Sequence, residues 1–134
     1  MALIEWSDEY SVGIEKFDSQ HKEIISRVNK LHAAVTAGKG NETVADLLNY
    51  LLAHTHSHFF AEEMAMARFR VPGQEDHKTE HKKLRSEVMK YAADVGAGRA
   101  AISDETLMFL KSWLIEHIQE SDKTYTPHLK DKTF

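Results

Sequence analysis

Residues 54–63 read HTHSHFFAEE, three histidines and two glutamates within ten positions. Side chains of these types can bind metals, move protons or line a wet helix face, and their spacing separates the choices. Residues four apart in an α-helix share a face, about 6 Å apart along the axis. His58 and Glu62 form one such pair, and His77 and His81 form another. His56 falls about 200° around the helix from His58 and is expected to face solvent, as is Glu63. His54 shares the inward face of His58 but lies one turn away. Two more histidines, His21 and His117, sit on apolar stripes elsewhere in the chain. Asp122 follows His117 by five residues, which an ideal α-helix turns roughly 140° away. A local widening into a π-type turn, common at functional sites, would bring its short carboxylate inward.

The candidate ligands are therefore His21, His58, Glu62, His77, His81, His117 and Asp122. Seven overfill a zinc ion, which takes four, and suit two metal ions. Imidazole selects iron, copper, nickel or zinc over magnesium or calcium, and a carboxylate can join two ions through its two oxygens. The chain has no cysteine, which excludes thiolate metal sites, disulfides and a thiol nucleophile. It also lacks the glutamate-rich pattern with paired ExxH motifs found in ferritin-like oxidases. One buried histidine alone is more often a core residue satisfied by a hydrogen bond. Five imidazoles and two carboxylates gathered in a small core are different, because their desolvation is costly unless a metal compensates it. His32, His56 and His128 read as surface or helix-end residues. His54 reads either as surface or as a hydrogen-bond partner to a ligand. Met64, Met66 and Met89 read as gap fillers.

Four stretches of helical periodicity, broken by glycine, asparagine or proline, have to position these residues. The first runs from about 19 to 37 behind an Asp18 cap, with His21, Ile24, Val28, Leu31 and Val35 on one stripe. The second covers about 42–69, with Val44, Leu48, Leu51, Thr55, His58 and Glu62. The third covers about 74–95, with His77, His81, Leu84, Val88, Tyr91 and Val95. The fourth starts after Ser103 and carries Leu107, Leu110, Leu114, His117 and Ile118 toward Pro127. Short connections predict an all-α, up-down-up-down four-helix bundle. It follows an irregular arm of about 17 residues, from which Trp6, Val12, Ile14 and Phe17 can pack, and ends in a short tail. In that topology all seven candidates fall at one end of the bundle.

At 134 residues and 42% hydrophobic content, the chain fits one domain spanning 1–134. A formal charge of −4 provides no basic field for nucleic acid. The acidic N-terminus does not read as a signal peptide and no stretch is long enough for a membrane span, so a cytoplasmic location is expected. The polar outer faces suit a monomer.

The motifs VGIEKFDSQHK at 12–22 after Trp6, HFFAEE at 58–63, HKTEH at 77–81 and WLIEHIQESD at 113–122 resemble the hemerythrin family, in particular its single-domain bacteriohemerythrins. The resemblance spans nearly the whole chain. It implies two non-haem iron ions bridged by Glu62, Asp122 and an oxo or hydroxo group. His77, His81 and His117 would complete a closed ion, while His21 and His58 would hold an ion with one position open to O2. Trp113 and Leu114 match the apolar lining of the family's oxygen pocket, although core packing explains them equally well. The implied function is reversible O2 binding for transport, storage or delivery, with an oxygen-consuming enzyme as a potential recipient, and not catalysis. The alternative is a di-iron redox enzyme that handles peroxide or nitric oxide, or a sensor of oxygen or redox state. No acid–base residue stands out beyond the ligands to favour that alternative.

Overall fold

The chain forms four long helices that run up-down-up-down in this computed structural model, which describes residues 3–99 and 101–132. Helix α1 spans Glu15–Thr36, α2 Asn41–Arg68, α3 Gln74–Gly96 and α4 Asp104–Glu116. Helix α2 packs against both α1 and α3, and α4 packs against α1. No strand occurs among the described residues, and no helix there is long and apolar enough to cross a membrane.

The stripes read from the sequence form the core. Ile24, Val28 and Leu31 of α1 meet Leu48 and Leu51 of α2, Leu84, Val88 and Val95 of α3, and Leu107, Leu110 and Leu114 of α4. Each large aliphatic side chain buried this way contributes on the order of 1.5–3 kcal/mol. On α1 and α3 the stripes depart from expectation at one position each: Val35 and Tyr91 are only half-buried, and their neighbours Ala34 and Ala92 are buried instead. Of the three methionines expected as gap fillers, only Met66 is inside; Met64 and Met89 are exposed.

Ahead of α1, the described part of the arm contains one 3-10 turn, Asp8–Tyr10, and is otherwise irregular. It is nevertheless anchored, because Ile4, Val12 and Ile14 are buried and the Ile4 N–H donates to the Asn29 side chain at 2.9 Å. Helix α1 begins four residues earlier than the Asp18 cap predicts, with Ile14 at the N-cap. The Asp18 carboxylate turns back to the arm instead, accepting from the Val12 N–H at 2.8 Å and the Ser11 hydroxyl at 2.5 Å. Gly13 makes this reversal possible with φ 74°, and its missing Cβ would stand 3.3 Å from Thr126 Cγ2. Ser103 caps α4 as its sequence predicts, accepting from the Thr106 N–H at 3.2 Å.

The fourth helix does not continue regularly toward Pro127. After Glu116 the backbone widens into a π turn over His117–Ser121, tightens into a 3-10 turn over Asp122–Tyr125, and closes with a short α5, Thr126–Leu129. Tyr125 and Leu129 from this segment are fully buried.

Candidate metal centre

All seven candidate ligands are buried at one end of the bundle, each no more than 5% exposed. Helix α1 brings His21 one turn after Phe17, and α2 brings His58 and Glu62 along the stripe that carries Leu48 and Leu51. Helix α3 brings His77 and His81 near its start. His117 opens the π turn and Asp122 follows it directly. A π turn bonds residue i to i+5, so the extra residue aligns Asp122 with His117, where a regular helix would point it away. The widening expected from the five-residue spacing is present.

The side chains fall into two groups that share both acids. Glu62, His77, His81, His117 and Asp122 make one, and His21, His58, Glu62 and Asp122 the other; within each, potential ligand atoms lie within 4.8 Å of one another. Glu62 Oε1 faces His77 and His81 at 3.6 and 3.2 Å, while Oε2 faces His58 and His21 at 3.2 and 3.7 Å. Asp122 Oδ1 lies 3.0 Å from His77 and 2.9 Å from His117, and Oδ2 lies 2.9 Å from His21. Each carboxylate thus divides its two oxygens between the two groups.

Few of these close approaches are hydrogen bonds. His21 Nε2, His58 Nε2, His77 Nε2, Glu62 Oε1 and both Asp122 oxygens are buried without a hydrogen-bond partner. Buried polar atoms are nearly always paired, so a cluster of orphaned lone pairs aimed at a common centre fits cations held between them. The donor set, nitrogen and oxygen without sulfur, fits iron.

The opposite ring nitrogens explain why the Nε2 atoms point inward. His58 Nδ1 lies 2.5 Å from Gln20 Oε1, His81 Nδ1 3.3 Å from Glu63 Oε2, and His117 Nδ1 2.8 Å from Glu80 Oε2. An imidazole that donates through Nδ1 keeps its Nε2 lone pair free for a metal. Phe59 stacks on His81 with ring centroids 3.7 Å apart, and Trp113 stacks on His117 at 4.6 Å. Tyr125 donates its hydroxyl to Glu62 Oε2 at 2.5 Å.

The acids and histidines of the cluster also shift one another's protonation. Burial alone pulls His21 and His77 down, but Asp122 and Glu62 outweigh it and push them up to about 9 and about 10. His117 is raised as well, because Asp122 overcomes the burial penalty. His81 is lowered, since burial outweighs the pull of Glu62. Burial pushes both acids up, yet the histidines around them hold Glu62 and Asp122 well below the usual carboxylate range. Burial, then the two acid charges, raise Tyr125, which keeps it a neutral donor.

Several of these contacts do not follow from the sequence. Glu63 was expected at the surface and is only partly so; it reaches His81 from the flank of α2. Gln20, Glu80 and Tyr125 carried no expectation. Only Tyr125 leaves a signal, as an aromatic residue three positions after Asp122. His54 is half-buried beside Gln20 and His58 in a polar cleft, but Gln20 holds the His58 nitrogen. Leu114 is buried and Trp113 half-buried, and both line a largely apolar cavity that touches His21, His58, His117 and Asp122.

A helical bundle with imidazoles and shared carboxylates converging from all of its helices defines a class of metal-binding bundle. Comparison narrows the class: the family profile of the Hemerythrin HHE cation binding domain matches residues 12–129, and the chain belongs to the hemerythrin family. It is 35% identical over 130 residues to a bacteriohemerythrin of Stenotrophomonas maltophilia, covering 97% of this chain and 84% of that one. It is 34% identical to a bacteriohemerythrin of Methylococcus capsulatus over 96% of this chain and 98% of the relative. A crystal structure of a wild-type hemerythrin superposes with TM-score 0.89 at 34% identity, covering 96% of this chain and 99% of the other. That of a hemerythrin with a leucine changed to alanine gives 0.90 at 33% identity, covering 97% and 99%. Family membership implies a non-haem di-iron site, and the cluster described above is able to hold metal.

Proposed function

We propose that this chain, as a single hemerythrin-like domain, binds O2 reversibly at a di-iron centre for transport, storage or delivery. In this reading His77, His81 and His117 would hold one ion, His21 and His58 would hold the other, and both ions would share Glu62 and Asp122. The observation that carries this reading is the division of each carboxylate between the two histidine groups, together with the orphaned lone pairs between them. Two ferrous ions in this setting supply the electrons on which reversible O2 binding depends.

The protein's own contribution is position and exclusion. Nδ1 partners fix the rings of His58, His81 and His117, and the Tyr125 hydroxyl steadies Glu62. Leu114, Phe59 and Ile118 line the apolar cavity that touches His21, His58, His117 and Asp122. Such a wall admits a small neutral gas while offering water and protons no polar route. O2 would have its access on the His21 and His58 side, because that group has one imidazole fewer and both of its histidines line the cavity, whereas of the other three only His117 does.

Elemental analysis is expected to give two irons per chain; one zinc per chain would overturn the reading. A spectrum of the reduced protein should change on exposure to O2 and return when the gas is removed. Consumption of O2 without return would favour the redox enzyme or sensor instead.

A further inference from the structure

The outer contacts of His58, His81 and His117 differ in charge between the two groups. In the three-histidine group, His81 and His117 face the carboxylates of Glu63 and Glu80 through Nδ1. In the two-histidine group, His58 faces the neutral amide of Gln20, and His21 Nδ1 is buried without a partner. Tyr125 adds a third difference, since it donates to Glu62 Oε2, the oxygen that faces His21 and His58. A carboxylate that accepts from Nδ1–H pushes electron density toward Nε2 and places a negative charge near the cation. An amide does this weakly. A hydroxyl that donates to a ligating oxygen draws density away from it.

We propose that Glu63 and Glu80 act as positioning residues that make the two metal positions unequal, so that the His77–His81–His117 position fills first and releases last. The His21–His58 position becomes the labile one. This inference rests on the two-ion reading above but goes beyond it, because three imidazoles against two would by themselves also give some inequality. The outer carboxylates add a part that can be removed without touching a ligand.

The test follows ferrous iron leaving the di-ferrous protein under anaerobic conditions, in excess of a chelator whose iron complex is coloured. Release should be biphasic, one iron per chain in each phase. The Glu63→Gln/Glu80→Gln double variant keeps the accepting oxygens and removes only the charges. Losing such partners typically weakens metal affinity by about 10- to 100-fold, so its slow phase should accelerate by up to about that factor, while its fast phase stays as in wild type. Gln20→Glu introduces the missing charge beside His58 and should slow the fast phase alone. Far-UV circular dichroism checks the fold, and if the double variant does not fold, Gln20→Glu decides. A single release phase in wild type, a slow phase unmoved in the folded double variant, or a fast phase unmoved in Gln20→Glu would overturn the inference while leaving two irons bound. Loading below two irons per wild-type chain would overturn the two-ion reading itself.

Discussion

His117 and Asp122 are five residues apart in the chain, yet His117 Nε2 and Asp122 Oδ1 lie 2.9 Å apart in the core. The π turn over His117–Ser121 is what closes that distance. Its position ties the irregularity in the fourth helix to the site, because a regular helix would aim the carboxylate at another face. Asp122→Ala should therefore remove a shared ligand from both groups and lose iron from both positions. Iron analysis of the purified variant checks this, and retention of two irons would show that the alignment has no bearing on metal.

Glu62 and Glu63 are neighbours with unequal roles. Glu62→Ala should abolish iron binding, whereas Glu63→Ala should still load two irons, because Glu63 meets only the outer nitrogen of His81. Equal loss in the two variants would contradict the assignment of faces on α2.

Tyr125 is buried with its hydroxyl on Glu62 Oε2. Tyr125→Phe keeps the ring packed between Phe17 and His77 and removes only the donor. The expected cost is about 1–3 kcal/mol, since Glu62 then loses a hydrogen bond it cannot replace from water. Urea denaturation of the wild type and variant measures it, and unchanged midpoints would reduce the contact to packing.

Removing iron should lower the melting temperature, because ions that bind only the folded chain stabilise it by mass action. The iron-free protein should also have its own pH dependence. His21 and His77 have folded-state values raised to about 9 and about 10 from 6.5, so protons stabilise the fold through them. That contribution is fully present below about pH 6.5 and is lost as pH rises through 9 to 10. Glu62 and Asp122 are lowered, and their contribution is lost instead as pH falls below the usual carboxylate range. Chemical denaturation of iron-free protein at pH 7 and pH 10 tests the alkaline side. Equal stability at both would count against the protonated cluster.

Leu114 lines the cavity beside His21 and His58. Leu114→Asn should leave iron content near two per chain, as no ligand changes, yet hasten the oxidation of the oxygenated protein to its ferric form by giving water and protons a polar foothold. The unpaired amide could also cost about 1–3 kcal/mol, so folding and iron content are confirmed first. The decay of the oxygenated spectrum at fixed pH is the readout; an unchanged rate would assign Leu114 to core packing alone.

The four helices are legible in the amino-acid pattern alone, since their apolar stripes repeat at helical spacing and glycine, asparagine or proline breaks them. It also determined which histidines turn inward and that they gather at one end, because helical phase and alternating direction follow from local rules. Even the π turn was legible, from a five-residue gap between two residues that needed one face. Tertiary structure decided the rest. Asp18 caps the arm and not the helix, because the carboxylate finds Val12 N–H only after the chain turns at Gly13. Glu63, Glu80 and Gln20 each meet a histidine of a different helix, 18, 37 and 38 positions away in sequence, so helical phase, which orders residues within one helix, says nothing of the pairing. The unequal charge around the two groups of histidines lives in those cross-helix contacts, where packing alone chooses the partner.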